Sequence, residues 1–241
     1  MSLLHHDLWG SKGGRMVVNM THYSIAIDGP AGAGKSTIAK SIAKNLGFIY
    51  VDTGAMYRAM GLHFIRNNIE ASDTIRIEEA CKEVNVTLEY KDGEQIVVLN
   101  GEKVNRFIRT EEVGNMTSAS SVNRAVRLKL VELQQHLAKG ENVVMDGRDI
   151  GTYVLPNANL KIYLTASSKE RANRRWLELT NKGIISNLDD IEKDIIERDN
   201  RDMTREFAPL KQAEDAILID SSFMSIEEVI QTIMEHFQKI R

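Results

Sequence analysis

A parallel β-sheet covered by helices on both faces is predicted by three features of this sequence. Short apolar runs such as that in Ser24-Ile25-Ala26-Ile27-Asp28 recur along the chain, and an apolar run without alternation marks a buried strand. Segments of helical spacing separate these runs, and strands alternating with helices build parallel sheets. The first run leads through Gly29-Pro30 into a glycine-rich loop and then a helix, the order that a phosphate-binding loop requires.

The elements follow in chain order. The strand at 24–28 ends at Gly29-Pro30. A helix is expected over residues 36–45, with Gly47 just past its end to take a left-handed conformation. Residues 48–52 read as a second buried strand. Thr53 is then expected as an N-cap, with Arg58 in the first two turns of the helix it opens. Between 84 and 105 the period becomes two. Val84, Val86 and Leu88 alternate with Asn85, Thr87 and Glu89, Lys91-Asp92-Gly93 turns into Ile96-Val97-Val98-Leu99, and Asn100-Gly101 turns again. That is a small antiparallel meander inserted into an α/β chain. A helix with the stripe Val126, Leu130, Leu133 and Leu137 follows, then strands at 143–146, 160–164 and 216–220. Ser167-x-x-Glu170 and Ser225-x-x-Glu228 fit the capping box. The last helix should dock Ile226, Val229, Ile230, Ile233 and Phe237 on the core.

Composition narrows the function classes. At 42% hydrophobic and 27% charged residues, the 241-residue chain has the balance of a globular protein with a sizeable core. No apolar run approaches the roughly 18 residues needed to span a bilayer, so no membrane partner is expected. A net charge of −3 argues against broad nucleic-acid binding. The single cysteine, Cys81, cannot form an internal disulfide, which points to a reducing, cytoplasmic setting. Its helical spacing from Ile77, Ala80 and Val84 makes it a packed thiol rather than a nucleophile. Residues 1–19 have no period and read as an expression leader, with Met20 the natural start and Met16 the alternative. His5-His6 belongs to that leader and is not expected to bind metal.

Gly29-Pro30-Ala31-Gly32-Ala33-Gly34-Lys35-Ser36 matches G-x-x-x-x-G-K-[ST]. Phosphate oxygens must reach bare backbone N–H groups, so the loop has small side chains, and the helix start adds its positive dipole end. Lys35 supplies a point charge for the β- and γ-phosphates, and the Ser36 hydroxyl is placed for Mg²⁺. The loop alone leaves GTPases, motors and small-molecule kinases open.

A second set of basic residues favours a kinase. Arg58 follows the second strand, where a second anion would sit, and six of the sixteen arginines lie between 171 and 205. Arg171, Arg174 and Arg175 share one helical face, as do Arg198, Arg201, Asp202 and Arg205. A salt-bridged solvated face competes with this reading. Lysine would serve such a face equally well, whereas arginine suits bidentate phosphate recognition. Phosphoryl transfer needs two phosphate-bearing reactants in line, neutralised charge and excluded water. A basic segment at 169–183, capped at its start and ending in Asn181-Lys182-Gly183, could close over both reactants. The run Val143-Val144-Met145-Asp146-Gly147-Arg148-Asp149 places two carboxylates around Arg148 at a strand end, the usual crevice of an open parallel sheet.

With these residues assembled, the sequence resembles bacterial cytidylate kinases, the CMP/dCMP kinases of the nucleoside monophosphate kinase group. IDGPAGAGKST (27–37), VDTGAMYR (51–58), DGRDIGT (146–152), ASSKERANRR (166–175) and ERDNRDMTR (197–205) occur in family order, and the resemblance runs from about Tyr23 to the C-terminus. It implies a P-loop kinase core at 20–52, 123–168 and 184–241, a monophosphate-binding arm at 53–122 carrying the meander, and a helical lid at 169–183. It implies that Gly29, Pro30, Ala31, Gly32, Ala33, Gly34, Lys35, Ser36 and Thr37 bind ATP, with Ser36 on Mg²⁺. Thr53 and Arg58 would hold the monophosphate. Ser118, Arg127, Arg148 and Asp149 fall at cytosine- or phosphate-binding positions, although the run Thr117-Ser118-Ala119-Ser120-Ser121 leaves the serine's register open. Arg198, Asp202 and Arg205 fall at ribose and phosphate positions, and Lys35, Arg148, Arg171, Arg174 and Arg205 would act on the transferring phosphoryl group. A monomer acting on CMP and dCMP is implied.

The chemistry of the base agrees with that residue set. Cytosine offers an amino donor at N4, which a carboxylate accepts, and acceptors that an arginine can meet. A metabolite kinase, for example one acting on shikimate, would need neither the base-reading residues nor the meander. A GTPase-like switch would need an Asn/Thr-Lys-x-Asp motif, which the sequence lacks. A purely structural domain would have no need of an intact Lys35-Ser36.

Overall fold

A computed structural model describes residues 22–91 and 93–241. The expected leader therefore lies outside the described residues. Five parallel strands form the main sheet in the order β2 (Ile49–Asp52), β6 (Val143–Gly147), β1 (Ser24–Asp28), β7 (Leu160–Thr165) and β8 (Ile217–Asp220). The central strand β1 pairs with β6 from Ser24↔Val143 to Asp28↔Gly147 and with β7 from Ile25↔Leu160 to Asp28↔Tyr163. The chain leaves β1 toward β2 on one side and reaches β7 on the other, so a crevice opens at the carboxyl end of β1.

Both faces are buried at the central strands β1 and β6, which is why these read as mainly apolar runs, whereas the edge strand β8 leaves Leu218 exposed. Ile25, Ile27, Val144 and Ile162 face one side with α1 (Lys35–Leu46) and α8 (Ile226–Gln238). Ala26, Val143 and Met145 face the other with α2 (Thr53–Arg66) and α5 (Arg124–Ala138). That second cluster continues through α3 (Thr74–Glu83), where Cys81 is buried, into the insert. The meander forms as β3 (Val86–Lys91), β4 (Glu94–Leu99) and β5 (Glu102–Lys103). Asn100 and Gly101 both take positive φ, 48° and 85°, as a two-residue hairpin turn requires. Gln95 of β4 grips the backbone of Asp52, accepting from its N–H and donating to its carbonyl, which docks the meander beside the crevice. α4 (Glu111–Ser120) packs against α2, and α6 (Ser168–Asn181) pairs with α7 (Leu188–Thr204) as a helical hairpin.

Several local expectations change. Asp52, not Thr53, caps α2, because its carboxylate accepts from the Ala55 N–H, while the Thr53 hydroxyl donates to the Asp146 carbonyl. Ser225 and Glu228 form a complete capping box. At Ser167 only half of one forms, since Glu170 turns to Arg174. Ile226 is half exposed and lies outside the apolar face of α8. A π-helical turn, Ile150–Val154, follows Asp149 and has no signature in the sequence pattern.

Candidate active site

The loop between β1 and α1 forms one wall of a cleft of about 270 Å³ at the carboxyl ends of β1, β6 and β2. Gly32 and Gly34 take φ of 75° and 87°, a region that glycine enters without penalty. Gly34 caps α1 with no side-chain hydrogen bond, so N–H groups of the first turn remain open to an anion. Ala31, Gly32, Lys35 and Ser36 line the cleft; Gly29, Pro30, Ala33, Gly34 and Thr37 do not. Gly29 is needed for space, since a Cβ there would lie 1.9 Å from the Leu164 carbonyl oxygen.

Lys35 is buried and donates to the Pro30 carbonyl at 2.7 Å. Burial and then the Arg148 guanidinium hold its ammonium well below the ordinary lysine value. Asp146 at the end of β6 accepts from the Ser36 hydroxyl at 2.8 Å and from the Tyr50 hydroxyl at 3.0 Å. Burial, followed by the Asp52 charge, pushes its carboxyl up. Asp28 is also buried, accepts from the N–H groups of Ile150 and Gly151 at 2.7 Å each, and is pushed up to about 7 by that burial.

The opposite wall is an alternating chain of charges. Arg148 donates to Asp202 at 2.8 Å, Arg205 bridges Asp202 and Asp149 at 3.3 and 3.4 Å, and Arg127 donates to the other Asp149 oxygen. The five residues come from α5 (Arg127), the turn after β6 (Arg148 and Asp149) and α7 with its C-cap (Asp202 and Arg205). Arg127 is fully buried, with its guanidinium 5.4 Å from the Tyr57 ring centroid and its Nε unpaired. Arg127 lies beside the apolar stripe of α5, and the site itself encloses it. Thr117, Ser118 and Ser121 all face the cleft. Thr117 and Ser121 donate their hydroxyls to backbone carbonyls, so of these three Ser118 presents the uncommitted hydroxyl.

Three cations lining the cleft have no carboxylate partner among the described residues: Lys35, Arg58 and Arg198. Arg58 donates only to the carbonyls of Ile108 and Thr110. Arg198 is lowered to about 10 by burial and then by the neighbouring Arg148. Unpaired cations crowded at the end of a sheet call for an anion.

Arg171 and Arg174, expected to act on the phosphoryl group, do not line this cleft. Arg171 is buried against Asp199 and the loop backbone, and Arg174 pairs with Glu170 and donates to the Ser221 carbonyl. The arginine pattern placed them on one face, but Asp199, Ala31 and Ser221, from distant parts of the chain, claim them together with the local Ala166 and Glu170. Asp28, Tyr50, Tyr57 and Arg109, which pairs with Asp52 at 2.6 Å, were not legible as site residues. For Asp28 a signal existed, because an acid ending a buried apolar strand beside the loop needs a partner.

A model of the family described as cytidylate kinase matches residues 25–239. A cytidylate kinase of Caldicellulosiruptor bescii is 54% identical over 92% of this chain and 98% of its own length. One from Bacillus cereus strain B4264 is 49% identical over 88% and 94%. In fold alone, an uncharacterized protein from Eubacterium ventriosum is similar, with a TM-score of 0.50 at 14% identity over 91% of this chain and 99% of that one. Phosphate loop, DGRD turn and arginine-rich hairpin lie within the matched region, and the chain belongs to the cytidylate kinase family.

Proposed function

We propose that the chain transfers the γ-phosphoryl group of ATP to CMP and dCMP, giving CDP and dCDP. The observation that carries this reading is the trio of unpaired cations around one cleft, Lys35 on the loop side and Arg58 and Arg198 facing it. Two phosphate-bearing reactants can meet there end to end, with charge neutralised from both sides. Lys35 and the free N–H groups of α1 receive the donor's phosphates, and Arg58 and Arg198, beside Thr53, receive the acceptor's. Arg148 lies between them, held in register by Asp202, and Arg205 completes that wall.

Asp149, Arg127 and Ser118 read the base. The Asp149 carboxylate, paired with Arg127 and Arg205, is an acceptor that receives a hydrogen bond from the N4 amino group of cytosine and opposes O4 of uracil. Asp202 and Arg205 also border the ribose. Ser36 and Asp146 are hard oxygen donors already in contact, a set that suits Mg²⁺. When bound there, the ion would offset phosphate charge. The core binds the donor, the arm at 53–122 carries the acceptor, and the lid at 169–183 excludes water. Action as a monomer in the cytoplasm belongs to the same reading.

The test is a panel of nucleoside monophosphates with ATP and Mg²⁺. CDP and dCDP formation with little product from AMP or GMP is expected; equal use of all four would remove the base-reading assignment.

A further inference from the structure

Ala31, the third residue of the phosphate loop, has both of its backbone groups held by one buried ion pair. Asp199 accepts from the Ala31 N–H at 3.3 Å, and Arg171 Nη1 donates to the Ala31 carbonyl at 2.9 Å. The two side chains pair at 2.7 Å. Arg171 Nε also donates to the Ala166 carbonyl at 2.9 Å, just beyond β7. Arg171 comes from α6 and Asp199 from α7, and each is 6% exposed. A Cβ on Gly32 would stand 3.3 Å from Arg171 Cβ, so α6 lies directly against the loop.

We propose that Arg171 and Asp199 are positioning residues that set the phosphate loop for ATP, a role that rests on the kinase reading above. A residue gripped at both N–H and C=O cannot rotate about the chain, so the aim of the N–H groups that follow it is set before ligand arrives. Only a planar fork reaches the Ala31 carbonyl, the Ala166 carbonyl and Asp199 together; an ammonium on a flexible stem does not. Burying an ion pair is weak support for stability, because an apolar pair of similar volume is often as stable. The pair therefore contributes geometry. It also makes the base of the α6–α7 hairpin part of the loop's wall.

The discriminating variant is Arg171→Met with Asp199→Leu, which removes the clamp and keeps the volume. Melting temperature should fall by several degrees, from the Ala31 and Ala166 backbone groups left unpaired, with the protein still folded. The dissociation constant of a non-hydrolysable ATP analogue should rise about tenfold or more, and kcat should fall on the order of a hundredfold, as misplacement of a reacting group does. CMP affinity, measured without ATP, should be unchanged. Amide exchange across residues 29–36 should accelerate in the free protein. Arg171→Lys should shift the same readouts in the same direction by less, and it decides the matter if the double variant does not fold. Wild-type exchange and ATP-analogue affinity in a folded variant would overturn the proposal, as would equal losses of ATP and CMP affinity. Exchange needs no ligand or turnover, so a wild-type protein that makes no CDP would remove the kinase reading and leave the clamp still tested.

Discussion

Replacing Asp149 with asparagine separates base reading from stability. The carboxylate is 4% exposed and holds two buried arginines, Arg127 and Arg205. Breaking a buried ion pair costs about 3–5 kcal/mol, and the retained amide oxygen places this change near the lower end, about 3 kcal/mol. At about 2–4 °C per kcal/mol for a chain of this size, the melting temperature should fall by roughly 6–12 °C. Selectivity is a separate quantity. In the wild type, uracil O4 faces a carboxylate, and an unsatisfied buried acceptor costs about 1–3 kcal/mol. Asparagine can turn its NH₂ toward O4 and remove that penalty. The ratio of kcat/KM for CMP over UMP should therefore fall by about fivefold to a hundredfold. A coupled spectrophotometric assay with saturating ATP, run well below the variant's melting temperature, measures both substrates on one preparation. Any loss shared by the two nucleotides cancels in the ratio. An unchanged ratio, with the protein folded, would refute the argument and move the cytosine contact away from Asp149.

Other outcomes follow from the same geometry. Lys35→Met should abolish CDP formation while circular dichroism stays native, because the buried ammonium is aimed into the cleft and its loss removes about 2.7–4 kcal/mol or more of transition-state stabilisation; turnover near wild type would take the loop out of the mechanism. Asp28, raised from 3.8 to about 7, binds a proton in the folded state that the unfolded chain lacks between those pH values, so its contribution to stability falls as pH rises through that window. Asp28→Asn should flatten the decline between pH 4 and 7 in urea unfolding, and an identical slope would show that Asp28 is ionised throughout. Gly29→Ala should fail to yield folded protein or lose far more stability than Gly140→Ala, whose Cβ meets nothing within 4 Å; equal melting temperatures would show that β7 can yield.

Much of the architecture was legible because it rests on local rules. The parallel strands were marked by short, mainly apolar runs, since at β1 and β6 burial on both faces removes the need for alternation. The phosphate loop was marked by glycines that the backbone requires, and the meander by its change of period. The 54%-identical relative and the family match agree with what those motifs imply about function. What only the tertiary structure decided is which partner each charged side chain takes. Arg127 was legible as a candidate, but its enclosure by Asp149, Tyr57 and the Ser121 carbonyl, from three other elements, was not. Arg171 looked like a phosphate ligand, but Asp199 and Ala31, 28 and 140 residues away in sequence, claim it. Helical spacing tells which side chains share a face. It says nothing of what that face meets, because ion pairing inside a protein depends on distance and burial in three dimensions, and both come from the packing of elements far apart in the chain.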